Sequence, residues 1–375
     1  MPDFPASGHP VSPSHTSPPV TRPTGRNAVH TTTQNTTRAP RLICQGLIAS
    51  ALFSTTFILN RVISLQGGPW VWSAALRYIE TAALLTLWLL ASKGPAYLAM
   101  LGRLFMHRAG FWLGAGSVGY GMFYACCCFA ANHAPGWIVA ATWQSTLIAT
   151  PIVLRAFGEK VPLRGLVFLG LIFIGIIGLN ANRLLDGVPL EQVMAGVVPL
   201  CIAAFCYPIG NQLLNRLRHN TAPLYRPLQD PLAAVLLMTL GALPFLIGLV
   251  IVVRPPAPDL GQVTATGIIA LVAGCLATPL FIHARNTSSN PYLIAAVDAT
   301  QAGEVAFTLL GETLLTGHLS LGLADYAGLA AVMGGLTGFA LSEESAAQSL
   351  EHEPSGSTQT LPEHQAAAPP FNKGH

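Results

Sequence analysis

Ten stretches of roughly 20 apolar residues run through this chain, near 42–63, 69–91, 109–131, 136–157, 164–181, 192–213, 231–253, 263–284, 290–312 and 321–341. A helix rises about 1.5 Å per residue, so each stretch can cross a hydrocarbon layer roughly 30 Å thick. Backbone groups in lipid must be paired within their own segment, which makes bundled helices the fold expected of such stretches. Composition agrees, because only 9% of the 375 residues are charged and 51% are hydrophobic, against about 25% charged in soluble domains. The expected fold class is an all-α integral membrane protein of ten transmembrane helices, held at the plasma membrane with the lipid bilayer around it.

The ends differ from the middle. Residues 1–41 are rich in Pro, Ser and Thr and carry no apolar run of the kind a signal peptide needs, so they read as a disordered tail. Residues 343–375 turn polar again and read the same way. All seven cysteines fall inside expected spans, where they suit small packing roles and no disulfide framework. Cys126, Cys127 and Cys128 point about 100° apart on a helix and cannot share one metal site.

Basic residues give an orientation. With the N-terminus in the cytoplasm, fifteen of the nineteen Lys and Arg residues fall on the inner side and three (Arg61, Arg183, Arg254) on the outer side, leaving Arg77 within the membrane. That is a strong positive-inside bias and places both termini in the cytoplasm. The two halves also echo each other at an offset of about 150 residues: Phe57–Arg61 answers Tyr207–Gln212, Phe157–Lys160 answers Leu310–Thr313, and the Gly-rich fifth stretch answers the tenth. Five spans is an odd number, so repeats of 42–183 and 190–342 would lie inverted to one another, the plan of secondary transporters.

Several short motifs then carry a resemblance. The Asn60–Arg61 end of span one, Leu76–Tyr78 in span two, Trp143–Thr146 in span four, Tyr207–Asn211 in span six and the Glu304/Gly311–Glu312 pattern of span nine resemble the drug/metabolite transporter superfamily, in the branch named for multidrug resistance efflux. The resemblance covers 42–341 and implies export of small organic molecules, drugs or metabolites, including cationic ones, coupled to protons. The four-helix members of that superfamily hold protons and cations on a first-span glutamate. Spans one and six contain no acid here, so such a site must lie elsewhere.

Span nine offers it. Counted from Asn290, Asp298, Gln301 and Glu304 lie about 12, 16 and 21 Å into the membrane and share a polar face with Thr300 and Thr308, opposite small residues such as Ala302 and Gly303. Acids at that depth are costly and mark ion or proton paths. Glu312 falls at the outer boundary, where solvation is expected. Span two carries Arg77 and Glu80, three apart on one helical face, and the expectation is that they pair and so neutralise each other. Trp143 and Gln144 in span four are deep enough to meet a cation or a flat substrate. Gly334 and Gly338 form a GxxxG face that packs within the chain or between two copies in a homodimer.

Other classes fare worse. Ala115–Gly119 approaches a serine-hydrolase elbow, with His283 as a conceivable base, but its first Gly is Ala and no acid completes a triad. No phosphate loop, zinc motif or basic nucleic-acid patch occurs, so the expectation is a non-enzymatic carrier with no cofactor and no metal. The alternatives are an uncoupled metabolite carrier and a non-transporting membrane scaffold.

Overall fold

The computed structural model describes residues 26–158, 166–220, 222–287, 296, 297, 299–317 and 321–351. Among these no strand occurs. The helices are α1 (Arg26–Leu65), α2 (Trp70–Lys93), α3 (Pro95–His107), α4 (Ala109–Ala131), α5 (Gly136–Ala156), α6 (Leu166–Leu185), α7 (Leu190–Arg218), α8 (Pro231–Val253), α9 (Leu260–Phe281, continuing to Asn286), α10 (Ala302–Thr316) and α11 (Leu323–Glu351). Among the described residues eight helical segments are long and apolar enough to span a membrane: Pro40–Leu65 of α1, Val167–Leu185 of α6, and α2, α4, α5, α7, α8 and α9. The expected ninth and tenth spans correspond to α10 and the apolar Leu323–Phe339 part of α11, which are shorter in the described residues.

Helix ends follow local chemistry. Asp230 caps α8 by accepting the Leu232 N–H at 3.0 Å, with Pro231 in the first turn, where a missing N–H costs nothing. The same carboxylate pairs with Lys93 and accepts from the Tyr97 hydroxyl at 3.2 Å, tying the end of α2 to the start of α8. Asp259 caps α9 through the Gln262 N–H. Gly94 and Gly317 end α2 and α10 with φ of 79° and 70°, a region that glycine enters without strain.

Three boundaries differ from the sequence reading. Helix α1 starts at Arg26, inside the stretch expected to be disordered, because Asn27–Ala39 holds neither Gly nor Pro, and Pro40 removes only one backbone bond. Helix α11 runs to Glu351, since Ser342–Glu351 holds helix formers and no breaker. Helix α3 occupies an expected loop; Leu101 and Leu104 on one face are buried, which anchors it. Residues 1–41 cluster as one unit and 42–375 as another.

Within 42–375, α2 packs on α8, α6 on α11, α5 on α10, α9 on α2, and α4 on both α7 and α8. Lipid supplies no hydrophobic drive for helix association, so close approach of small residues matters. A Cβ on Gly119 would lie 2.6 Å from the Gly210 Cα, and one on Gly116 would lie 2.5 Å from the Met238 carbonyl. On α11, Gly335 and Gly338 meet Ile172 and Phe168 of α6 while Gly334 meets nothing, so the expected GxxxG face is in part used within the chain. Large apolar side chains such as Leu87, Trp88, Phe173, Ile174 and Val252 point outward, as lipid-facing residues do. All seven cysteines are free.

Two helices contain π-helical stretches, Ser117–Met122 in α4 and Ala270–Ala277 in α9. Two others tighten: α5 breaks at Gln144–Ser145, and the chain entering α10 turns at Thr300–Gln301. At both breaks the backbone bonds become three-residue closures, Ser145 N–H to the Thr142 carbonyl at 3.0 Å and Glu304 N–H to the Gln301 carbonyl at 3.0 Å.

Candidate functional site

The two breaks build the site. Each places a glutamine where helical bonding is interrupted, Gln144 within α5 and Gln301 just before α10, and α5 and α10 pack together. Irregular backbone at membrane depth needs partners inside the protein. The Thr300 carbonyl accepts from the Ser50 hydroxyl at 2.7 Å; beside the other break it is a side chain that is held, Thr142 Oγ1 accepting from the Asn180 amide at 3.0 Å. Ser50 approaches because Gly46 of α1 lies against Thr300.

Beside the breaks is a cavity of about 240 Å³. Its walls are largely aromatic: Phe123 stands 4.9 Å from Trp143 and 5.1 Å from Tyr207, Tyr78 lies 5.8 Å from Tyr120, and Phe53 meets Phe281 edge-on at 6.3 Å. The polar lining comprises Arg77, Gln301 and Glu304, with the hydroxyls of Thr56, Thr81, Thr146, Thr239 and Thr278. Glu304 is buried, and Gln144 is the side chain next to its carboxyl. The Gln144 amide nitrogen is itself buried and makes no full hydrogen bond among the described residues.

Arg77 and Glu80 do not pair. The Arg77 guanidinium lies over the Tyr124 ring, 4.0 Å from its centre, and faces the cavity. Glu80 turns to α9 instead, where its Oε1 accepts from the Thr266 hydroxyl at 3.1 Å. Three residues apart on a helix leaves the side chains about 60° apart in direction, and each finds a separate partner on its own side. The Asn60 amide donates to the Tyr124 hydroxyl at 2.9 Å, fixing the ring on which Arg77 rests.

Of the residues singled out in the sequence, the cavity thus brings together Arg77, Trp143, Gln301 and Glu304, with Gln144 against Glu304. Glu80 lies outside it. Asp298 lies outside the described residues. The aromatic walls from α4 and α7 (Tyr120, Phe123, Tyr207) were missed as site residues, since a lone aromatic in an apolar helix carries no signal of the direction in which it points. Ser117 of the hydrolase-like stretch donates to the Gly241 carbonyl at 3.4 Å, in a helix-packing contact.

A second polar cluster lies at the helix ends that carry Arg61 and Arg183. Glu312 is buried there, not solvated as its position suggested: its Oε2 accepts the Trp137 N–H at 3.0 Å, and its Oε1 lies 3.8 Å from Arg61. Arg61 also donates to the Ala131 carbonyl at 3.1 Å, and Arg183 to that of His133 at 2.7 Å. These contacts join the ends of α1, α4, α6 and α10 to the start of α5, beside an open cavity of about 520 Å³.

Known protein sequences are similar to this chain. A family model described as "EmrE: Putative multidrug resistance efflux transporter" matches residues 40–345. The chain is 35% identical over 314 residues to "Uncharacterized protein YjlA" of Bacillus subtilis (strain 168), covering 79% of this chain and 93% of that one. It is 29% identical over 285 residues to an "Uncharacterized 42.1 kDa protein in intracellular alkaline protease 3'region" of Shouchella clausii, covering 69% of each. With apolar helices throughout the matched region and a polar cavity among them, the chain belongs to this EmrE-type family of efflux transporters and is a multi-pass membrane protein.

Proposed function

We propose that the protein is a secondary carrier that exports small organic molecules across the plasma membrane in exchange for protons, with Glu304 as the group that holds proton and substrate in turn. The observation that carries this reading is the position of Glu304: a buried carboxyl in an aromatic-walled cavity, one turn beyond a helix break. A carboxyl in such a place can give up its proton to accept a basic group, and take it back on release. The absence of an ion pair to Glu304 among the described residues leaves it free to do so.

The alternating motion this requires fits two five-helix repeats, 42–183 and 190–342, of inverted orientation. Supporting this, the π-helical stretches start at Ser117 and Ala270 and the breaks fall at Gln144 and Gln301, each pair separated by about the offset of the sequence repeat. Carriers of this plan bind at the interface of the repeats near mid-membrane, where α5 meets α10.

The test is proteoliposome transport with an imposed pH gradient, using a panel of small aromatic amines, acids and amphoteric compounds and a trapped pH-sensitive dye. Substrate-dependent proton flux is expected from the wild type, and at least a tenfold loss in Glu304→Gln, which keeps the size and hydrogen bonding of the side chain. Wild-type flux in that variant would move the coupling site to Asp298 or Glu80. Uptake that ignores the pH gradient would make the protein an uncoupled carrier.

A further inference from the structure

We infer that the molecule carried is amphoteric: an aromatic body with an acid group held by Arg77 and Thr81 and a basic nitrogen held by Glu304. The inference rests on the reading of this cavity as the transport site and names its substrate class. A site built for lipophilic cations has no use for a guanidinium, which stays charged in proteins and repels a cationic ligand. Yet Arg77 lines the same cavity as Glu304. Among the described residues no carboxylate pairs with it, and its near contacts are the faces of Tyr124 and Tyr78, at 4.0 and 5.7 Å. Tyr124 also takes a side-chain hydrogen bond from Arg77, and the other N–H groups of the five-donor guanidinium are left for an anion.

A second observation stands beside it. Thr81, one helical turn beyond Arg77 and so on the same face of α2, is 3% exposed, and its hydroxyl makes no hydrogen bond among the described residues although it lines the cavity. A buried hydroxyl without a partner is unusual, and this one sits where a carboxylate on Arg77 would accept its proton. The Thr239 hydroxyl, on the wall supplied by α8, is likewise buried and unpartnered. The basic end of the ligand goes to Glu304, flanked by Gln144 and Gln301. The rings of Phe123, Trp143 and Tyr207 wall the same cavity, and its volume of about 240 Å³ accepts a body the size of one aromatic amino acid.

The experiment is calorimetric binding to the full-length protein in lipid nanodiscs, with no gradient, so that it reads recognition and not coupling. Three probes share one body: phenylalanine, phenethylamine, which lacks the acid, and 3-phenylpropanoate, which lacks the amine. Phenylalanine is expected to bind at least tenfold more tightly than either. Thr81→Val, close to isosteric, should weaken phenylalanine and 3-phenylpropanoate several-fold and leave phenethylamine unchanged. Arg77→Gln should bring phenylalanine and phenethylamine to within about twofold of each other. Phenethylamine binding as tightly as phenylalanine to the wild type would overturn the inference in favour of a cation site, and 3-phenylpropanoate doing so would overturn it in favour of an anion site. Binding of none of the three to folded wild-type protein would overturn the class itself. Asp298→Asn is the control for a counter-ion on α10's approach: if phenylalanine binding tightens in it more than tenfold, Arg77 serves Asp298 and the inference fails. The proton-coupled reading falls on different evidence, loss of gradient dependence in liposomes, and tight phenylalanine binding would survive that loss.

Discussion

Arg77 and Glu80 show how far a pattern of charges can be read along one helix. Their spacing allows a pair, and in an isolated helix a pair would be the economical arrangement. In the folded chain Tyr124 and Thr266 offer each of them a nearer contact. Spacing along a sequence cannot show this, since both partners come from other helices. The stabilities of Arg77→Gln, Glu80→Gln and the double variant should therefore be additive to within about 0.5 kcal/mol when measured by thermal unfolding in detergent. Breaking a buried pair from one side alone costs about 3 to 5 kcal/mol, so a coupling energy above roughly 1.5 kcal/mol would show that the two side chains meet after all. Glu304 was readable for the opposite reason: an acid deep in an apolar helix is conspicuous whatever surrounds it.

Whole helices were easier to read than their contacts. The stretch 231–253 coincides with α8, bounded by a capping Asp and a positive-φ residue at Arg254. The interruptions in α4, α5 and α9 were not read, because apolar composition is blind to whether the backbone bonds close over three, four or five residues. What α4 does reveal is a packing rule. Gly119 faces Gly210 of α7, whereas Gly114 on the same helix is exposed and meets nothing. Gly119→Ala should thus force α4 and α7 apart and destabilise the protein by about 1 to 3 kcal/mol, while Gly114→Ala should be neutral or stabilising by up to about 1 kcal/mol through helix propensity. Thermal unfolding of the two purified variants checks this, and equal melting temperatures would mean that α4 and α7 are not in contact at Gly119.

Across the molecule, charge is divided between the two ends of the bundle. Lys93, Arg108, Arg216 and Arg218 stand with Tyr97, Tyr225, Phe157 and Gln229 at one end, and Arg61 and Arg183 with Glu312 and His133 at the other. The sequence count assigned these same residues to opposite sides, because loop charge is a property of the chain that folding does not rearrange. If the richer end is cytoplasmic, single cysteines at the exposed positions Asp186 and Ala257 of a cysteine-free variant should react with an impermeant thiol reagent in intact cells, and one at Arg103 should not. The reverse labelling would turn the whole molecule over. The proposed inverted repeat and the cavity belong to this scale as well: the proposal starts from a weak echo in short motifs, and the cavity left almost no trace in the sequence, since its walls are drawn from helices far apart in the chain.

The π-helical stretch in α4 also bears on how long this helix has to be. Trp112 and Tyr124 are both fully buried, and twelve residues apart on a regular helix they would point about 120° away from each other. Absorbing one surplus residue between them returns the two rings to nearly the same side. The buried positions say the same: Trp112, Gly116 and Gly119 set a stripe that resumes one place late, at Tyr124, Cys127 or Cys128, and Ala131. Segment 117–122 is therefore a point of length tolerance, where a chain of this kind can lose a residue and relax to an ordinary helix with both flanking faces still turned inward. The same deletion in the middle of an uninterrupted helix such as α8 would rotate everything beyond it out of the core.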